Sequence, residues 1–355
     1  MNIFDINPDI SQANTLSSKF YTDERYFYES KEKIFARSWQ FVGVADEINN
    51  LKPFTILEDF LDEPILFSKD AHNNWQCLSN VCTHRGNILI ENDCVKDGIR
   101  CRYHGRRFAL DGKFLSMPEF EGVKDFPSKK DDLTKIPFGI WQKFLFASIN
   151  PSATFDIFTA EIQQTIDWFD FDKLKLVSAK DYTVKAHWAL YCENYLEGFH
   201  IPFVHQSLNE TIDFGSYTTE TFRFSSLQTA IAKAGEDAFD LPEDAPDFGK
   251  NIAAYYFFLF PNMMFNFYPW GLSVNIVKPI NPEQTKVSFL TFISDETKLE
   301  KGAGADLHQV ELEDEAIVEN VQKGIKSKFY ESGRYSPKRE QGTHHFHRLI
   351  AEFMS

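Results

Sequence analysis

Long apolar runs are missing from this 355-residue chain: no window approaches the roughly eighteen consecutive apolar residues of a membrane helix. The first residues, Met1-Asn-Ile-Phe-Asp-Ile-Asn-Pro8, have neither the basic flank nor the apolar centre of an export signal. These absences predict a soluble cytoplasmic protein with no membrane partner. Positive charge is also short. Lys and Arg number 37 against 52 Asp and Glu, a formal charge of -15, which excludes the clustered basic surface that nucleic-acid phosphates require. The acidity would suit a cationic substrate, but solubility alone accounts for it. Cysteine is scarce and odd in number, five in all, so a disulfide framework is excluded and a reducing compartment follows. No Gly-rich nucleotide turn follows a predicted strand, and Gly302-Ala-Gly304 is too slight to be one. A redox role for this chain would therefore need electrons from a separate NAD(P)H-dependent reductase.

What is abundant is apolar and aromatic sequence, 43% and 15% of the residues with 36 phenylalanines, enough for two buried cores. Between them these residues set off two constellations of metal-binding type.

The first is Cys82-Thr-His84-Arg-Gly86 followed by Cys101-Arg-Tyr-His104-Gly105. Each loop offers one thiolate and one imidazole. A Cys2His2 set also suits tetrahedral zinc, but zinc fingers usually draw two cysteines from one element and two histidines from another. In a Rieske [2Fe-2S] cluster the thiolates hold one iron and the imidazoles the other, so two mixed loops clasp the cluster from both sides. Structural zinc and unliganded side chains remain the competing readings.

The second is Glu193-Asn-Tyr-Leu-Glu197-Gly-Phe-His200-Ile-Pro202-Phe-Val-His205. Asp181–Leu190 is expected to lead into a helix running through about His200. On that helix Glu193, Glu197 and His200 share one face, with Trp188, Cys192, Tyr195 and Phe199 opposite. An ordinary amphipathic helix would look the same. Pro202 predicts a bend just after His200 that swings His205 back towards it, placing two imidazoles at neighbouring positions on one metal. A two-histidine, one-carboxylate facial triad needs one further acid. The predicted long helix Asp306–Phe329 offers Asp314, which shares a stripe with Val310, Ile317, Val321 and Ile325, whereas Glu313 lies to the other side and Glu315 and Glu319 face away. A carboxylate on a buried stripe needs a partner or a metal; a helix-helix salt bridge is the alternative.

Together, these motifs resemble the Rieske non-haem iron oxygenases, alpha subunits of the aromatic-ring-hydroxylating type. The resemblance implies that Cys82, His84, Cys101 and His104 carry a Rieske [2Fe-2S] cluster, and that His200, His205 and Asp314 bind a mononuclear iron(II) that uses dioxygen. It further implies that Glu197 is a bridging carboxylate to a cluster histidine, His104, of a neighbouring subunit, in a homotrimer. Glutamate at the bridge, Val321-Gln-Lys-Gly324, Gly333-Arg-Tyr335 and His344-His345-Phe-His347 look closer to the choline, carnitine and betaine monooxygenase branch. Two positions depart from the family pattern: His187-Trp188-Ala189 stands where Asn-Trp-Lys is common, and Arg106 where tryptophan is common. The C-terminal histidines suit packing or an interface better than a further metal site.

The expected fold is α+β: a helical, aromatic arm over residues 1–38, an all-β Rieske domain over 39–150 and a catalytic domain of antiparallel sheet and helices over 151–355. Strands are expected at Pro64–Ser68 and Trp75–Leu78, with a hairpin at Asp111-Gly112. Further strands are expected at Tyr255–Phe260, Leu272–Val277 and Lys286–Ser294, and an exposed loop at Glu236–Lys250. Tyr195, Phe199, Phe203, Phe265, Tyr268 and Trp270 are candidate walls of a substrate pocket whose aromatic faces would attract a quaternary ammonium group. The function expected is hydroxylation or N-demethylation of such a small-molecule substrate. An aromatic substrate and a non-catalytic electron carrier are the alternatives.

Overall fold

A computed structural model describes residues 3–70, 72–299, 301–305 and 307–355. The chain forms two compact units, one of Ala36–Phe155 and one in which the residues through Phe35 join Asp156–Ser355. No helix among the described residues is long and apolar enough to cross a membrane.

The arm carries α1 (Lys19–Thr22) and α2 (Glu24–Lys33), whose first turn is capped by the Asp23 side chain accepting from the Arg25 amide. Phe20, Phe27 and Phe35 are fully buried, which fixes the arm to its unit by hydrophobic burial.

The unit Ala36–Phe155 is all-β. Its strands are β1 (Gln40–Val44), β2 (Leu51–Ile56), β3 (Glu63–Lys69), β4 (Trp75–Ser79), β5 (Ile99–Arg100), β6 (Arg107–Phe108), β7 (Phe114–Ser116), β8 (Phe138–Trp141) and β9 (Phe144–Ala147). They form three-stranded antiparallel sheets in the orders β1-β9-β8, β2-β3-β4 and β5-β6-β7. Leu66, Leu78, Ile99 and Phe108 pack around Cys82 and Cys101. One cysteine loop follows β4 and the other joins β5 to β6. Asp111-Gly112 turns β6 into β7, with Gly112 at φ 86°.

The second unit continues with α3 (Phe155–Thr165), β10 (Lys175–Val184), α4 (Trp188–Tyr195), α5 (Ile201–Val204), α6 (Gln206–Thr211), β11 (Thr218–Thr221), β12 (Ser225–Ile231), β13 (Ile252–Leu259), β14 (Met263–Tyr268), β15 (Gly271–Asn281), β16 (Gln284–Ile293), α7 (Leu307–Gly324) and α8 (Gln341–Met354). A seven-stranded antiparallel sheet of order β10-β16-β15-β14-β13-β12-β11 forms its body. The fold is thus α+β, with one all-β unit and one unit of antiparallel sheet and helices. α4 lies against both β15 and α7. Glu236–Lys250 holds neither helix nor strand.

Three local expectations are corrected. Asp181–Val184 is the end of strand β10, and the helix expected through His200 ends at Tyr195. The Leu196 amide closes α4 on the Cys192 and Glu193 carbonyls, after which the chain turns at Glu197-Gly198. Pro202 sits in the first turn of a new helix, α5, where its missing N–H costs nothing. The third correction concerns the long helix, whose expected first residue, Asp306, lies outside the described residues. α7 ends at Gly324 rather than Phe329, and its buried face is Glu311, Val318 and Gln322, while Ile317 and Val321 are 38% and 44% exposed. The reason is polar: α4 presents the Tyr191 hydroxyl to Glu311 and the His187 amide to Gln322 Oε1, so hydrogen bonding rather than apolarity selects the inward face.

Candidate active site

The two cysteine loops are built alike. In each, the glycine after the histidine-containing turn is left-handed, Gly86 at φ 73° and Gly105 at φ 76°, and donates its amide to the cysteine carbonyl four residues back, at 3.0 and 3.1 Å. Each cysteine amide in turn donates 2.8 Å to the carbonyl five residues on, Cys82 to Asn87 and Cys101 to Arg106. The loops thereby hold Cys82 and Cys101 buried and hydrogen-bonded to one another, with the His84 and His104 rings 4.9 Å apart. His104 Nδ1 is buried without a hydrogen-bond partner, an orphan that a metal would satisfy. Paired thiols and paired imidazoles fit the donor set of a [2Fe-2S] cluster of Rieske type.

Arg106 is buried behind the loops. Its guanidinium pairs with Asp131 Oδ1 at 2.6 Å and lies 4.8 Å from the Phe114 ring centroid. The Asp131 carbonyl also accepts from Thr83 of the other loop at 2.8 Å, so one residue ties both loops together. Burial opposes ionisation of Asp131, but hydrogen bonds from Arg106 and Ser128 and the Arg106 charge together outweigh it and hold the carboxyl below its ordinary range.

In the second unit the break after α4 positions Glu197 and His200. Glu197 Oε2 accepts from the amides of Phe199 and His200, and Oε1 lies 2.8 Å from His200 Nδ1. Gly198 is required here, since a Cβ would lie 2.7 Å from the Tyr217 ring. The turn of α5 then brings His205 round until its Nε2 is 3.1 Å from His200 Nε2. Asp314 Oδ1, from α7, lies 3.0 Å from His205 Nε2 and 3.5 Å from His200 Nε2. Neighbouring ligands about 2.1 Å from a metal and at right angles to each other are separated by about 3.0 Å. His205 Nδ1 lies 2.8 Å from Glu313 Oε2. Hydrogen bonds from Gln309 and His205 keep that carboxyl below its ordinary range. With both Nδ1 atoms donating to carboxylates, both Nε2 atoms present lone pairs to each other and to Asp314, a convergence that a cation relieves. Asn194 of α4 donates 2.7 Å to the same Oδ1 and orients it.

His200, His205 and Asp314 stand in the wall of a cavity of about 110 Å³, several times the ~10–15 Å³ one water needs. Tyr191, Tyr195, Tyr217, Tyr256 and Tyr268 supply most of its aromatic surface, with Gln228, Asn266 and Glu311 among its polar groups. Of the aromatics expected at a pocket, Tyr195 and Tyr268 line it. Phe265 is fully buried in β14 and Trp270 stacks behind Tyr268 at 5.0 Å, while Phe199 and Phe203 point outward, 43% and 82% exposed. For Phe199 and Phe203 the cause is the break at Leu196, which turns them away from the expected helical face. Glu193 stays on α4 and faces the arm: its Oε1 accepts 2.7 Å from Tyr21 and lies 3.1 Å from His347. His347 also meets the Tyr335 hydroxyl at 2.5 Å and His344 the Asn7 carbonyl at 2.8 Å, so both pack the arm to α8.

Comparison with known proteins decides the family. The model for the ring hydroxylating alpha subunit (catalytic domain) matches residues 171–355, and that for the Rieske [2Fe-2S] domain matches residues 38–127. This chain belongs to the ring-hydroxylating alpha subunits. It is an oxidoreductase of Rieske type, and its cofactors are a [2Fe-2S] cluster and a mononuclear iron that works with dioxygen. The alpha subunit is 28% identical to a chloroplastic choline monooxygenase of Arabidopsis thaliana, covering 98% of this chain and 84% of that one. It is equally 28% identical to the carnitine monooxygenase oxygenase subunit of Escherichia coli (strain K12), covering 98% and 96%. Among solved structures, a quaternary ammonium Rieske monooxygenase superposes with a TM-score of 0.77 at 23% identity over 99% of this chain and 98% of that one. Naphthalene 1,2-dioxygenase from Rhodococcus sp. superposes with 0.75 at 15% over 96% and 94%. Both share the fold.

Sequence reasoning passed over Asn194, Tyr191 and Glu311 of this alpha subunit and set Glu313 aside because it lies off the stripe of Asp314. Asn194 and Tyr191 flank the iron-site motif on the helix before it, and Glu311 and Glu313 flank Asp314, so nearness to the motif was the available signal.

Proposed function

We propose that this alpha subunit is the oxygenase component that hydroxylates or N-demethylates a small quaternary-ammonium compound. His200, His205 and Asp314 are assigned as ligands of the mononuclear iron, and Cys82, His84, Cys101 and His104 as ligands of the cluster. When bound, the iron supplies dioxygen activation and the cluster supplies single electrons. The chain's own residues set the geometry. Glu313 and Glu197 hold the outward nitrogens of His205 and His200, and Asn194 holds Asp314. Glu197, hydrogen-bonded to His200, is also the residue suited to bridge to His104 of the partner subunit in a homotrimer. Electrons come from a separate NAD(P)H-dependent reductase, in the cytoplasm.

The observation that carries the substrate class is the tyrosine-walled cavity shared with the triad, because aromatic faces attract a desolvated ammonium group by about 2 kcal/mol. The choline and carnitine activities of the relatives support the same class. The test is a single turnover: the iron-loaded protein is reduced without oxygen, one candidate is added, oxygen is admitted and products are identified by mass spectrometry. An oxidised or demethylated product from choline, carnitine or glycine betaine is expected. Product from an aromatic acid alone would keep the enzyme class and replace the substrate class; cluster oxidation with no product from any candidate would leave the substrate open and revive the carrier reading.

A further inference from the structure

Among the described residues of the cavity wall, Glu311 is the one carboxyl that the iron site does not use. It is 4% exposed, its Oε2 accepts 2.6 Å from Tyr191, and its Oε1 is buried with no hydrogen-bond partner. A carboxylate oxygen so placed costs several kcal/mol unless something positive reaches it. Nothing positive in the wall does: among the described residues lining the cavity there is neither Lys nor Arg. Even with iron(II) bound, its two positive charges face three carboxylates in that wall, Glu197, Glu311 and Asp314. Burial pushes the Glu311 carboxyl up to about 8; a cation beside it favours the ionised form, in which the cavity is net negative.

Several neutral donors of the wall are committed as well. Tyr191 donates to Glu311, Asn194 to Asp314, Tyr195 to Asn266 Oδ1, Gln228 to the Tyr195 carbonyl and Ser273 to Asn275. Away from the iron site, an anionic group entering this cavity meets no Lys or Arg, whereas an ammonium group meets tyrosine faces and the Glu311 Oε1, which has no hydrogen-bond partner.

We infer that Glu311 is a specificity-determining residue that pairs with the substrate's cation and makes the cavity select a singly charged ammonium alcohol over a zwitterion that also carries a carboxylate. The inference rests on the quaternary-ammonium reading above and narrows it.

Isothermal titration calorimetry on the iron-loaded, oxygen-free protein tests it with four probes: choline, its neutral carbon isostere 3,3-dimethyl-1-butanol, glycine betaine and carnitine. The wild type is expected to bind choline about tenfold or more tighter than the isostere and than either zwitterion. In Glu311→Gln the choline-to-isostere ratio is expected to collapse to within about threefold while isostere affinity stays level. If that variant does not fold, Glu311→Met, which keeps the volume and drops the carboxyl, is read in its place with the same expected collapse. Zwitterions bound as tightly as choline, or an unchanged ratio in the variant, overturn the role of Glu311 and leave the substrate class standing. Binding of no ammonium compound by the wild type overturns the substrate class and this inference with it.

Discussion

Glu313 Oε2 lies 2.8 Å from Nδ1 of His205, on the opposite side of the ring from Asp314. Consecutive residues of α7 therefore grip both nitrogens of one imidazole, Asp314 as a neighbour at Nε2 and Glu313 as the acceptor that fixes the tautomer. Removing such an acceptor typically costs 10–100-fold in metal affinity. Glu313→Ala is expected to lose iron affinity by about tenfold to a hundredfold, and Glu313→Gln by less, since its amide oxygen still accepts. Iron titration against a competing chelator measures both; equal affinity in Glu313→Ala would remove the orienting role.

Glu197 stands in the same relation to His200, with its other oxygen fastened to backbone amides. Glu197→Gln is expected to keep both metals, three irons per chain by the family's stoichiometry, while slowing oxidation of the reduced cluster in a single turnover. Unchanged turnover with full iron would exclude Glu197 from the electron path, and lost mononuclear iron would make it a purely orienting group.

Why the iron-site residues were legible while their surroundings were not follows from how each is encoded. The glycine, cysteine and histidine positions of the two cluster loops, and the interval from Glu197 to His205, are local patterns in which residue type and spacing carry the chemistry. The antiparallel sheet was half visible: β13, β15 and β16 follow apolar runs, but β14 (Met-Met-Phe-Asn-Phe-Tyr) has no alternation because both its faces are buried. β12 hid behind polar Ser225, Ser226 and Gln228, which are nonetheless buried. The Phe199 and Phe203 side of the pocket was misjudged for one cause. A continuous helix to His200 would place Phe199 on the face of Tyr195, and the stop at Leu196 depends on long-range packing of Tyr217 over Gly198 that no local pattern reports. Likewise the inward face of α7 is set by hydrogen bonds to α4 rather than by its apolar stripe.

That packing is itself testable. A Cβ on Gly198 would meet Tyr217 Cε1 at 2.7 Å, so Gly198→Ala must displace either the ring or the turn that holds Glu197 and His200. The expected cost is about 1–3 kcal/mol of stability together with weaker iron binding. In the double variant with Tyr217→Ala the combined loss is expected to be smaller than the sum of the two single losses. Thermal denaturation and iron content of all three proteins check this, and strict additivity would show that the two residues do not share the constraint.

His187 offers a prediction about acid. Its ring lies among Phe20, Tyr21, Phe27 and Trp188 at centroid distances of 5.2–5.8 Å, and Nδ1 caps α4 by accepting from the Ala189 amide at 3.3 Å. Burial pushes the imidazole down to about 3 from its ordinary 6.5. The folded protein thus keeps His187 neutral while the unfolded chain takes up a proton. Its contribution is fully present above about pH 6.5 and is lost as pH falls towards 3, a change on the order of 4 kcal/mol. Asparagine also caps a helix but does not titrate. His187→Asn is therefore expected to lose about 1–2 kcal/mol at pH 7 through the emptied aromatic cage, and to show a flatter decline between pH 6.5 and 4. Comparing urea midpoints of both proteins across that range cancels the titration of the iron-site histidines, which the two share. Parallel declines would mean that His187 is protonated in the folded state and that its cap on α4 is made differently.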